Sequence, residues 1–175
     1  MKDTFVIPLN GLTPGRTEFR RKVGKEFFES FDNTEILGSD VDVLVTVEKS
    51  NRYIGVDVDL KGHVTVSCDR CLEDLDLPVE ASPKFSVKFG GEASASEEDL
   101  KEGDREIILL PDSNADLDLG QIVYDFINIS LPMQRVHEDG GCNPEALKYL
   151  NGRNERKTED ADSPFASLKG LFDGK

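Results

Sequence analysis

No run of apolar residues in this 175-residue chain approaches the roughly 20 that a helix needs to cross a bilayer. The opening stretch, Met1-Lys-Asp-Thr-Phe-Val-Ile-Pro8, lacks the long apolar region of a secretory signal. Cysteine is scarce, and its count of three is odd, which argues against a disulfide framework in an unexported protein. These absences together predict a cytoplasmic protein that makes no membrane contact. A Gly-rich phosphate loop, a Gly-x-Ser-x-Gly elbow and a His-Glu-x-x-His pair are also missing, which removes the common signatures of nucleotide, serine-hydrolase and zincin chemistry. Of the two histidines, His63 stands next to a glycine and reads as an exposed turn residue. The many carboxylates fall mostly on the outward positions of strands, so none pairs off as acid/base machinery. The expectation is a non-enzyme, with no catalytic residue and no site for an organic cofactor.

Positive charge is also in short supply. Lys and Arg number 21 against 35 Asp and Glu, a net charge of −14. Such a surface repels a phosphate backbone, so strong binding to naked nucleic acid is not expected. Any contact with RNA would need a local patch such as Arg16, Arg20, Arg21, Lys22 and Lys25. Basic partners, ribosomal proteins among them, suit the charge better; an acidic coat that only keeps the protein in solution suits it equally well. Hydrophobic residues make up 37%, below the globular average, so part of the chain should lie outside any core.

What is present in quantity is the period of two that marks a half-buried strand. Valines occupy every second position of Val41-Asp-Val-Leu-Val-Thr-Val47, and Ile54, Val56, Val58 and Leu60 alternate with polar or small residues. Lys61-Gly-His63 reads as a turn, after which Val64, Val66 and Cys68 resume the alternation. Leu75, Leu77 and Val79 form another strand pattern, and Phe85, Val87 and Phe89 one more. Ile107 to Leu110 and Arg16 to Val23 are further strands, Phe5, Ile7 and Leu9 a short one, and Phe27, Phe28 and Phe31 mark a helical turn. Short polar connections favour antiparallel neighbours. Asp118 with Gln121 has capping-box spacing, and Ile122, Val123, Phe126 and Ile127 then follow at helical intervals up to Leu131-Pro132. The fold class expected is α+β: an antiparallel β-meander, able to curl toward a barrel, with one main helix over about 118–130 packed on it and short terminal helices. The domain should span 1–151, with a mobile acidic loop at 90–104. A disordered linker at 152–163 and a short apolar segment at 164–172 should follow it.

The three cysteines and His137 carry the most specific chemistry. Cys68-Asp-Arg-Cys71 has the two-residue gap that lets both sulfurs bind one tetrahedral ion, and His137-Glu-Asp-Gly-Gly-Cys142 supplies a second pair. Cys3His is an accepted structural zinc set, and all four positions would then be filled by protein. Cys68, Cys71, His137 and Cys142 are therefore the candidate metal ligands and one structural zinc the candidate cofactor. Two other readings stay open. The cysteines could be small buried turn residues without a metal, or Cys68 and Cys71 could form a redox or metal-relay pair. For redox chemistry the acidic setting should raise the thiol pKa values, and the thioredoxin-like βαβ context is missing.

Several of these segments, taken in order, carry a family resemblance. They are Val66-Ser-Cys68-Asp-Arg-Cys71-Leu-Glu73 at a strand end, Asp116 to Leu119 opening a helix, and Ser130-Leu-Pro-Met-Gln-Arg-Val-His137, with Cys142 beyond it. The last is Ser163-Pro-Phe-Ala-Ser-Leu-Lys169 in the tail. The order and spacing over about residues 40–172 resemble the YceD proteins, described as large ribosomal RNA subunit accumulation proteins and at first as a domain of unknown function. Arg135 stands where that family often has a proline, and several relatives carry further cysteines beyond that point. The resemblance implies a non-enzymatic role in biogenesis of the large ribosomal subunit, supporting 23S rRNA accumulation, with ribosomal proteins or a pre-ribosomal particle as partners.

Overall fold

In a computed structural model of the chain, the described residues are 5–50, 53–90, 101–102, 104–111 and 116–155. They fall into two units: one drawn from 1–67 and 74–135, the other from 68–73 and 136 onward.

The first unit is built on strand periodicity. In β3 (Ile36–Lys49) and β4 (Ile54–Ser67) the register pairs Val43 with Leu60, Val45 with Val58 and Val47 with Val56. All six of these side chains are buried. Between them, the pairs of Asp42 with Lys61 and Leu44 with Asp59 take the opposite face, where Asp42, Asp59 and Lys61 are exposed. This is the division that a period of two dictates. β2 (Gly15–Val23) lies antiparallel on the far side of β3. β4 is long enough to serve two neighbours: its last half pairs with β5 (Asp74–Ala81) and its first residues with β6 (Lys84–Phe89). β7 (Lys101–Glu102) and β8 (Arg105–Leu110) complete a sheet of order β2-β3-β4-β6-β8-β7, with β5 attached to β4 alone. This order has two ends, so the sheet is open and is not a closed barrel. A separate ribbon pairs β1 (Val6–Ile7) with β9 (Leu117–Asp118).

Two helices bury their apolar residues in the core of this unit. α1 (Lys25–Glu29) contributes Phe27 and Phe28, and α2 (Gly120–Ser130) contributes Val123 and Ile127. Tyr124 of α2 stacks on Phe31 with ring centroids 4.4 Å apart, and its hydroxyl accepts a 3.0 Å hydrogen bond from Asn33 Nδ2. A fully buried phenylalanine or aliphatic side chain stabilises by about 1.5–3 kcal/mol through burial alone. Phe28, completely buried among rings, is one of the largest contributors.

The α+β class and the four-strand antiparallel run from β2 to β5 match the sequence expectation, and several details differ. Lys61-Gly-His63 is not a turn: it lies inside β4, with Gly62 opposite Val41. A Cβ on Gly62 would collide with the Asp40 carbonyl oxygen and lie 2.6 Å from Val41 Cα. The glycine is there because the β3 backbone comes too close for any side chain. β8 runs parallel to β6, so the meander does not extend through the whole sheet. The main helix begins at Gly120, and Asp118 is a β9 residue whose carboxylate accepts the Gly120 N–H at 2.8 Å. Gln121 bonds along the helix to Asp125 and does not close a capping box. A further helix, α3 (Pro144–Glu155), was not given bounds from the sequence and reaches into the stretch expected to be a linker. Residues 156–163 of that linker and the apolar segment at 164–172 lie outside the described residues. So do residues 91–100 and 103 of the expected acidic loop.

Gly62→Ala should lower global stability by about 2–3 kcal/mol, the usual cost of forcing an atom into a packed site. Chemical denaturation would show this as a lower midpoint with an unchanged slope.

Candidate metal centre

The second unit holds all four candidate ligands. Its first piece is the six-residue connection 68–73, which leaves β4 after Ser67 and enters β5 at Asp74; those two strand residues pair with each other. Such a short return forces a tight turn. The Cys68 N–H donates to the Glu73 carbonyl at 2.8 Å, the Leu72 N–H donates to the Cys68 carbonyl at 2.9 Å, and the Arg70 N–H points at Cys68 Sγ at 3.4 Å. Closing the turn puts Leu72 at φ 62°, the left-handed region that L side chains avoid. Leu72 is also 78% exposed, so its side chain gains nothing from burial in return.

The second piece is the loop after residue 135. Gly140 adopts φ 87°, and the Gly141 N–H donates to the Glu138 carbonyl at 2.9 Å. The chain thereby doubles back and brings Cys142 beside His137. Cys71 Sγ lies 3.4 Å from His137 Nδ1, Cys142 Sγ lies 3.9 Å from the same nitrogen, and Cys68 Sγ lies 3.9 Å from Cys142 Sγ. The four donor atoms all fall within 4.8 Å of one another; the three cysteines are buried and His137 is half-buried.

These distances suit a tetrahedral ion. Bond lengths of about 2.3 Å to sulfur and about 2.0–2.1 Å to nitrogen imply edges of about 3.8 Å between sulfurs and about 3.6 Å from sulfur to nitrogen. The separations of 3.4 and 3.9 Å bracket those edges, and no two of the donor atoms lie more than 4.8 Å apart. A zinc ion held by Cys68, Cys71, His137 and Cys142 would be saturated by protein, and such an ion contributes folding free energy without an open position for chemistry.

The thiols are not equivalent. Burial pushes the Cys68 thiol up, but backbone N–H groups at Cys71, Arg70 and His137 outweigh it and bring its pKa down to about 6. The expectation that acidic surroundings would raise the pair fails at Cys68, where hydrogen bonds to the sulfur and not carboxylate charges are the main influences besides burial. Cys142 moves the other way, raised by burial first and then by Cys68 and Cys71. Thiolates packed this closely would repel one another, and a divalent cation among them would relieve that repulsion.

Two supporting residues were missed in the sequence. Asn143 Nδ2 donates to Glu73 Oε1 at 2.7 Å and so joins the two pieces beside the ligands. Asn143 also accepts the Glu145 N–H at 2.9 Å and opens α3. The Asn143-Pro144 pair is a helix-start signal that could have revealed this. His63, by contrast, is an exposed β4 residue paired with Asp40.

A sequence model of the family described as "Large ribosomal RNA subunit accumulation protein YceD" matches residues 56–172, more than half of the chain and a range that contains all four clustered residues. Comparison with curated proteins found no match, and neither did comparison with solved structures.

Leu72→Gly should raise stability by about 0.5–1 kcal/mol by relieving the left-handed strain, whereas Leu72→Ala should leave it nearly unchanged. Equilibrium denaturation of the two variants side by side would separate backbone strain from loss of an exposed side chain.

Proposed function

Because the chain belongs to the YceD family, we propose that it supports accumulation of 23S rRNA in the large ribosomal subunit as a non-enzymatic binding factor. The family match over residues 56–172 carries this reading. The partner is a basic ribosomal protein or an assembly intermediate, approached through the acidic surface that a net charge of −14 creates. Opposite charge speeds encounter and disfavours wrong partners, and it also works against binding to bare RNA. No described helix is long and apolar enough to cross a membrane, in keeping with action on a cytoplasmic particle.

In the same reading, Cys68, Cys71, His137 and Cys142 hold one structural zinc. Two observations support it: the near-tetrahedral separations of the donor atoms and the burial of all three thiols. A thiol-redox role has one observation in its favour, the low pKa of Cys68. Burial of that same sulfur works against it, because reactive cysteines need access as well as thiolate character.

Protein purified without a metal-affinity tag, under reductant, should contain about one zinc per chain by elemental mass spectrometry, and Cys142→Ser should lose it. A metal-free native protein with an unshifted melting temperature in the variant would remove the metal from the account. For the partner, basic ribosomal proteins should copurify with the chain after nuclease treatment and be released by salt. Capture of naked rRNA fragments alone would refute the acidic-surface mechanism.

A further inference from the structure

Over residues 68–73 and 136–150 the second unit buries almost no apolar side chain; within those stretches only Cys68, Cys71 and Cys142 are buried. The other buried apolar side chains, from Phe5 to Ile127, belong to the first unit. Val136, Ala146 and Leu147 are half-buried, while Tyr149 and Leu150 of α3 are exposed. A segment that buries so little cannot offset the entropy of its own ordering and needs a covalent or metal staple.

α3 has the same difficulty. Its 12 residues sit at the lower limit, about 12–15, where an isolated helix is marginal in water. Asn151 and Gly152, both poor helix formers, lie inside it. Its N-terminus is the end that the described contacts anchor. The Asn143 carboxamide oxygen accepts the Glu145 N–H, the Asn143 carbonyl accepts the Leu147 N–H at 3.1 Å, and Pro144 follows as the first helical residue. The same Asn143 is held by Glu73. Asn143 is the residue after Cys142, and Glu73 is two residues after Cys71. Both anchors of the helix start are therefore tied to candidate ligands.

We propose that occupancy of the Cys68/Cys71/His137/Cys142 site decides whether α3 is folded. A bound ion fixes Cys142 against the 68–73 turn, this holds Asn143 in its capping position, and the capped start nucleates the helix. Loss of the ion frees loop 136–143 and α3 together, while the first unit keeps its own core. This inference rests on the metal reading above and adds to it a conformational consequence: the exposed Tyr149 and Leu150 are presented on a helix only in the loaded protein.

Hydrogen exchange on the full chain under reductant, loaded with zinc or stripped with a chelator, tests the proposal, with metal content measured on the same samples. Loading should slow exchange across 144–155 by more than about tenfold and leave the β3–β4 peptides unchanged. Equal exchange of α3 in loaded and stripped protein, or an α3 unprotected even when loaded, overturns the coupling while leaving the metal site standing. Failure to take up zinc overturns the site and the coupling with it. Asn143→Ala keeps all four ligands, so it should still bind zinc but exchange about fivefold faster in α3, the effect of a lost N-cap. Unchanged α3 exchange in that variant would refute the route through the cap.

Discussion

The long antiparallel pairing of β3 with β4 is the constraint on which the other features depend. Because side chains alternate with a period of two, this one register puts Val41, Val43, Val45 and Val47 together with Val56, Val58 and Leu60 on a single buried face. A slip of β4 by one residue would turn its whole apolar set away from that face. The same pairing brings the backbones together at Gly62, and it leaves the opposite edge of β4 free to pair with β6 along its first residues and with β5 along its last half. It also sets where β4 ends, and so delivers Cys68 at the start of a six-residue return.

The two units draw on different sources of stability. The first buries valines, isoleucines, leucines and phenylalanines between a sheet and two helices, the ordinary hydrophobic solution. The second, over residues 68–73 and 136–150, buries only its three cysteines and is organised by hydrogen bonds around them. A metal ion is the economical remedy for a segment too small to build a core. An open coordination position or an exposed nucleophile would have pointed elsewhere; instead, the low pKa of Cys68 coexists with full burial.

Net charge enters the function and not the fold. Carboxylates occupy the outward positions of β3, β4 and β5, where Asp42, Asp59 and Asp76 are exposed, so they cost the core nothing. They shape which macromolecules can approach, and on the proposed reading they favour a basic protein over bare RNA.

Much of this was determined by the sequence alone, because strand periodicity and ligand chemistry are local properties. The alternation of Val41–Val47 and of Ile54–Leu60, the stripe of α2 and the Cys-x-x-Cys turn are all legible within a dozen residues. Gly62 misled because a glycine flanked by Lys61 and His63 looks the same whether it makes a turn or admits a neighbouring backbone; only the β3 chain beside it distinguishes the two. The parallel β6–β8 pair was hidden for the same reason, since its partners are separated by some twenty residues that carry no signal of direction. Tertiary structure alone decided that thiols 74 residues apart lie 3.9 Å from each other, and that backbone N–H groups, not carboxylates, govern Cys68. Residue types and spacings can nominate donors for an ion. Whether the donors converge depends on how the intervening strands pair, and that is a property of the whole sheet.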